Sequence, residues 1–387
     1  MIRSLTYLIA LLTLLCLLPQ CKDSYISPYT APATGYLVVE GFIAGNGPTQ
    51  FRLSRTFPLP GDTPPAAEQN AQLQVEGDDN TTYPLNDYGN GTYGIDALPL
   101  DPAKKYRLRI HTAAKKDYLS DYTTFKPSPP IDSISWKVTA TGIDLFANTH
   151  DAAGSSRYYQ WEFEETWRYT SAEFSYGIYS EPPPSVDYRS DADQIFTCWR
   201  SAHSTTLLLG SSAKLSQDVI YLHLLNQVAA PSSQLSDLYS ILVKQHVLTE
   251  DAYNYLTLMQ KNSESLGSIF DAQPSRLKGN IHGLSDPNEQ VIGFVSTGTL
   301  QQERIFIDRR QLPLSFSYYY SCPLKDTLTP PFPDSYKQWF SPASGYTPVY
   351  QHFNIMGVFD GWMANNTSCV DCRMQGGSTI KPSFWPN

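Results

Sequence analysis

The sequence predicts a mainly β protein, with an N-terminal immunoglobulin-like β-sandwich followed by a larger β-rich domain carrying one or two helices. Three observations predict it. Short runs of β-branched and aromatic residues alternate with polar ones and are punctuated by turn residues. Aromatic residues make up 13% of the chain, including 26 tyrosines, beside 29 prolines and only 17% charged residues, the balance of an extracellular β-protein. At 387 residues the chain is too long for one ordinary core, so two domains are expected.

Residues 1–20 stand apart. Arg3 gives a positive start, Leu5 to Leu18 is a nearly unbroken apolar run, and Leu18-Pro19-Gln20-Cys21 ends it. This is the pattern of a secretory signal, too short to span a membrane comfortably. The cysteine at the break resembles a bacterial lipoprotein processing site, so 1–20 reads as a lipoprotein signal peptide and Cys21 as the lipidation site. Residues 21–34 hold Pro28 and Pro32 without apolar periodicity and read as a flexible tether.

The sandwich is expected over 35–126. Leu37-Val38-Val39-Glu40-Gly41-Phe42-Ile43 and Gln50-Phe51-Arg52-Leu53 read as strands, and Ala71 to Val75 alternates. Asn90-Gly91 is a strong hairpin signal before Thr92-Tyr93-Gly94-Ile95, and Lys105 to Ile110 alternates again. Pro127-Ser128-Pro129-Pro130 is the expected boundary, leaving 131–387 as a β-rich domain with disulfides. In it, Tyr159, Trp161, Phe163, Glu165, Trp167 and Tyr169 fall on one face of a strand, with Glu162, Glu164 and Arg168 on the other. Thr170 to Ser190, with Pro182-Pro183-Pro184, reads as a long loop. Asp218 to Leu225 and Tyr239 to Val247 read as further strands. One helix follows: Thr249 can cap it, Glu250 and Asp251 suit its positive end, and Gly267 can stop it.

Composition and motifs narrow the chemistry. The net charge of −9, about −10 once Arg3 leaves with the signal, argues against nucleic acid and an anionic bilayer as electrostatic partners. No zinc-protease helix, nucleophile elbow, phosphate loop or dinucleotide fingerprint is present, and seven histidines are scattered. Glu162, Glu164 and Glu165 could supply a carboxylate pair, but the even-numbered two belong to the solvated face, and Glu165 invites an arginine partner. Asp78-Asp79-Asn80 and Asp360-Gly361 with Asn365-Asn366 lack the spacing of a calcium loop and suit turns. No catalytic residue, metal or cofactor is therefore assigned.

Four cysteines remain beyond the lipid site, Cys198, Cys322, Cys369 and Cys372, and two disulfides among them allow three connectivities. A bridge within Cys369-Val370-Asp371-Cys372 would be a tight, redox-like ring. Bridges from this pair out to Cys198 and Cys322 suit a structural role, whereas zinc would lack a second knuckle. Phe174, Tyr176, Tyr179 and Tyr188 in the long loop are the candidates for contact with a ligand or partner.

Several strings occur together: Leu37-Val38-Val39-Glu40-Gly41, Pro129-Pro130-Ile131-Asp132-Ser133-Ile134, Gly267 to Ser275, Gly279-Asn280-Ile281 and Ile292-Gly293-Phe294. The ending adds Cys369-Val370-Asp371-Cys372-Arg373, Gly376-Gly377 and Lys381-Pro382-Ser383-Phe384-Trp385. Across essentially the whole mature chain this resembles domain-of-unknown-function family 4249, found in lipoproteins of Bacteroidota. The resemblance implies a lipoprotein often encoded beside a TonB-dependent outer-membrane transporter, with no established reaction. Lys22-Asp23 after Cys21 also resembles the signal for cell-surface display. The expectation is an outer-membrane lipoprotein held by its lipid anchor, acting without catalysis as accessory or ligand-capturing partner of such a transporter. The alternatives are a surface glycan or peptide hydrolase with an unrecognised site, and a structural adhesin.

Overall fold

The computed structural model describes residues 35–56, 65–264, 278–286, 288–320, 322 and 327–386. The expected signal peptide, Cys21, the tether and the helix stop at Gly267 lie outside the described residues.

A β-sandwich forms first. One sheet runs, in spatial order, Asn86–Gly89, Thr92–Ile95, Thr49–Arg55 and Leu37–Ala44. The opposite sheet contains Gln72–Gly77, Lys105–His111 and Asp117–Ser120. Alternation dictates which side chains meet: Leu37, Val39, Ile43, Phe51 and Leu53 face Leu73, Val75, Leu108 and Ile110 in one buried cluster. The Asn90-Gly91 turn forms where the sequence requires it, with φ of 52° and 74° at its two central residues.

The chain later returns to this sandwich. Ile281–Gly283 pairs antiparallel with Asp117–Ser120, and Val291–Ile292 pairs parallel with Leu37 and Val38. Thr297–Gly298 lies parallel to both Leu37–Ala44 and Thr123–Lys126, joining the two sheets along one side. Val291 and Val295 complete the buried cluster. The expected domain limits, 35–126 and an unbroken 131–387, are therefore corrected: the first domain is discontinuous and takes residues 281–298. The reason is hydrogen bonding, since Leu37–Ala44 and Asp117–Ser120 would otherwise leave unpaired edges.

Residues 127–130 cross to a second sandwich beside the returning chain. Ser128 N donates to Thr299 Oγ1 at 2.7 Å, and Ser128 Oγ donates to the Thr299 carbonyl at 2.7 Å. The second sandwich packs a three-stranded sheet, Ile131–Val138, Gly142–His150 and Val219–Ala229, on one built around Tyr158–Thr170, Leu238–Val247, Gln301–Asp308 and Thr197–His203. Tyr158–Thr170 is the strand read from its alternation: Tyr159 and Trp161 are wholly buried, while Glu162 is exposed. Trp161 Nε1 donates to Gln245 Oε1 at 2.9 Å, so its indole is buried without an orphaned donor. The helix Glu250–Glu264 starts as expected, with Thr249 Oγ1 accepting from Ala252 N at 3.2 Å. It also ties the two parts together, because the Tyr255 hydroxyl accepts from Gly293 N at 2.8 Å in the returning segment.

A third, smaller lobe caps the second sandwich. The strands Thr327–Thr329, Phe359–Asn366 and Tyr346–Phe353 form its sheet, and Pro333–Phe340 is a short helix. The expected long loop is corrected here: it holds the hairpin Gly177–Ser180 with Ser185–Tyr188. Two disulfides fasten this lobe, Cys198–Cys372 across 174 residues and Cys322–Cys369 across 47. Both run from the Cys369/Cys372 pair outward, the arrangement that suits a structural role.

Candidate functional site

The third lobe gathers the aromatic residues singled out in the sequence, but it divides their roles. Tyr176 and Tyr188 are 53% and 68% exposed. Tyr188 meets the indole of Trp362 edge-on at 5.8 Å and donates to Gln351 Oε1 at 2.5 Å, which fixes its ring on the surface. Phe174 is half-buried between Tyr176 at 4.8 Å and Phe196 at 5.3 Å. Tyr179 packs against a small core containing Phe340, and its hydroxyl donates to Glu181. Two of the four candidates thus lie exposed on the surface, and two pack into the lobe. Arg189 holds the hairpin from behind: its Nη2 donates to the Gly177 carbonyl at 2.9 Å and its Nη1 to the Asp193 carbonyl at 2.9 Å.

Sequence reasoning missed the most exposed apolar feature of this lobe. The turn between Tyr346–Phe353 and Phe359–Asn366 carries Phe353, Ile355, Met356 and Val358, of which Ile355 is fully exposed and Met356 79% exposed. The turn is held rigidly. Asn354 N donates to the Val358 carbonyl at 2.9 Å, and Gly357 N donates to the Asn354 carbonyl at 2.9 Å. Asn354 Oδ1 accepts from Met356 N at 3.0 Å and Val358 N at 3.1 Å. Gly357 supplies the left-handed residue that closes it, at φ +75°. At its base His352 Nδ1 and Asp360 Oδ1 are 2.6 Å apart. The signal was Asn354 and Gly357 inside an otherwise apolar run.

Glu165 is buried, as its face predicts, but among the described residues no arginine pairs with it. Its oxygens accept from Tyr239 Oη at 2.8 Å, Gln234 Nε2 at 2.8 Å and Asn226 Nδ2 at 3.1 Å. Burial pushes its carboxyl above the usual range, against those three donors. Glu164 instead reaches Arg304 at 4.0 Å. The two calcium-like strings serve local structure: Asp79 Oδ1 accepts from Thr81 N, and Asn366 Oδ1 caps the turn Thr367–Val370 through Ser368 N. Among the described residues no three His, Cys, Asp or Glu side chains come together as a metal site.

Residues 24–304 match the family described as Domain of unknown function (DUF4249). The chain belongs to this family. The match stops short of the Cys369–Cys372 string and the apolar turn, so the resemblance of the C-terminal strings lies outside it. No curated protein matches the DUF4249 chain. Among solved structures, it is similar to the FN1–FN3 domains of chicken CNTN1 at 14% identity and a TM-score of 0.19, over 56% of this chain and 63% of that one. A mutant Salmonella alpha-2-macroglobulin matches at 12% identity and a TM-score of 0.18, over 60% of this chain and 15% of that one. The DUF4249 chain thus spans less than two thirds of either structure, and likeness at these scores carries no argument. No described helix is long and apolar enough to cross a membrane, which says nothing of strands.

Proposed function

We propose that this protein is an outer-membrane lipoprotein, anchored through Cys21 and displayed at the cell surface, that acts without catalysis as accessory or ligand-capturing partner of a TonB-dependent transporter. The observation that carries the reading is the pinned apolar turn at Ile355 and Met356. Exposing such side chains in a rigid turn stabilises nothing in the free protein, whereas a preformed apolar contact lowers the ordering cost of docking. Between Lys337 and Arg373 the chain has no Lys or Arg, so the turn lacks the basic flank that draws a loop to anionic lipid. A protein pocket is the occupant this chemistry favours. Lipid-tethering beside the transporter would raise the effective concentration of that contact.

Mild-detergent purification from the native outer membrane tests this. The expected result is co-purification of a TonB-dependent barrel that is lost on Ile355→Asp with Met356→Asp, at unchanged melting temperature. Absence of a barrel, or capture that survives the double substitution, would overturn it. Cys21→Ser should release the protein from membranes.

A second reading, surface glycan or peptide hydrolase, has one observation in its favour: Glu162, Glu164 and His203 line a common hollow. A hydrolysis screen in which Glu162→Gln abolishes turnover would support it.

A further inference from the structure

The seam between the first sandwich and the second opens into a cleft of about 360 Å³, within the ~300–1,000 Å³ range of small-molecule sites. Its walls come from the strand Leu37–Ala44 with the returning Ile292 to Phe294, the strands Tyr158–Thr170 and Leu238–Val247, the loop at Leu207 and the helix Glu250–Glu264. Phe42, Leu207, Leu256, Met259 and Phe294 make an apolar interior. A second hollow of about 460 Å³ shares Glu40, Gln160, Glu162, Leu207, Lys244 and Met259 with it, so the two form one continuous depression.

The polar groups at this seam are not spent on each other. Glu162 and Lys244 are directly opposite across paired strands, yet neither they nor Glu40 form an ion pair among the described residues. Among the described residues Glu162 accepts one long hydrogen bond, from Gln160 Nε2 at 3.5 Å, and otherwise feels the nearby His246 ring only electrostatically. Glu164, the other carboxylate of the second hollow, is engaged with Arg304. His246 stacks on Phe42 at 4.8 Å, is 94% buried, and has no partner for Nδ1 among the described residues.

We propose that this cleft binds an amphipathic amine, its apolar body seated against Phe42, Met259 and Phe294 and its ammonium held by Glu40 and Glu162. Two free carboxylates against one lysine set the sign of the preferred charge, and the wall beneath them sets the need for an apolar body. Lys244 limits how far a second positive charge on the ligand is tolerated. The site lies in the seam, away from the apolar turn, so it stands whether or not the transporter reading does.

Titration calorimetry of the full chain with three probes of one shape tests the proposal: 3-phenylpropylamine, 3-phenylpropan-1-ol and 3-phenylpropionate. None has a hydrolysable bond, so binding is read apart from turnover. The amine is expected to bind saturably in the millimolar range or tighter, with the alcohol about tenfold weaker, the size of one charge-assisted hydrogen bond. The double substitution Glu40→Gln with Glu162→Gln should bring amine and alcohol to equal affinity. Leu207→Trp, in the loop that both hollows share, should abolish binding of all three while leaving the melting temperature in place. Equal binding of amine and alcohol by the natural protein, tighter binding of the carboxylate, no saturable amine binding, or amine binding that survives Leu207→Trp would each overturn the proposal.

Discussion

Cys198 is bonded to Cys372 across 174 residues of chain, and the link joins a strand of the second sandwich to the last short turn of the third lobe. Noncovalent contacts follow the same seam: Tyr169 Oη donates to the Cys372 carbonyl at 2.8 Å, and Trp199 and Ser378 exchange backbone hydrogen bonds at 2.8 Å. The bridge restricts the unfolded chain more than it adds contacts to the folded one. By loop entropy it contributes roughly 5 kcal/mol. Cys198→Ser with Cys372→Ser should lower the guanidinium midpoint, and reductant should shift the double variant only by the share that belongs to Cys322–Cys369, less than it shifts the natural protein.

The buried carboxyl of Glu165 makes stability depend on pH. Its pKa is raised by burial, so the folded protein holds that proton more tightly than the unfolded chain does. Its contribution to stability is whole below the ordinary carboxyl range and is lost as pH rises through the raised value. Glu165→Gln carries no such proton. Its stability relative to the natural protein should therefore rise between about pH 4 and about pH 7, read from urea melts at both.

Asn354→Ala removes the side-chain acceptor for Met356 N and Val358 N while leaving the apolar residues of the turn in place. Asn354, Met356 and Val358 belong to no buried cluster, so the global melting temperature should change by no more than about 2 °C. Hydrogen exchange at Met356 and Val358 should quicken. Under the proposed transporter-partner function, capture of the barrel should weaken, since the contact is no longer preformed.

Gly293 tests the return of the chain to the first sandwich. Its φ is +150°, and a Cβ there would lie 2.3 Å from the Val39 carbonyl oxygen. Gly293→Ala should cost about 1–3 kcal/mol through backbone strain and the displaced strand. The same substitution at exposed Gly89 has open space around it and should cost less, so the pair of melts separates the close approach from the loss of a positive-φ glycine.

What was legible in the sequence was local. The alternation of Tyr158–Thr170 is strict enough to assign each side chain to a face, and Asn90-Gly91 and Thr249 each carry a turn or cap chemistry within a few residues. What was not legible depends on distant partners. Val291–Ile292 and Thr297–Gly298 are two residues each, too short for any periodicity, and their partners lie some 250 residues earlier in Leu37–Ala44. Glu165 shows its buried face in the sequence, but its three donors arrive 61 to 74 residues later. Asn354 and Gly357 hint at a turn between Phe353 and Phe359, but only the folded hairpin puts Ile355 and Met356 outside.

The path of residues 281–298 also governs how the protein can be made. A chain that emerges N-terminus first exposes the edges of Leu37–Ala44 and Asp117–Ser120 long before the segments that cover them arrive. Nearly the whole second sandwich must emerge while the first waits incomplete, with strand edges open to other chains. Residues 35–126 made alone should aggregate for the same reason, and a soluble version of that domain needs residues 278–298 supplied with it. Folding here is closed from behind: the strand Leu37–Ala44 gains its last partner only once Thr297 and Gly298 have been made.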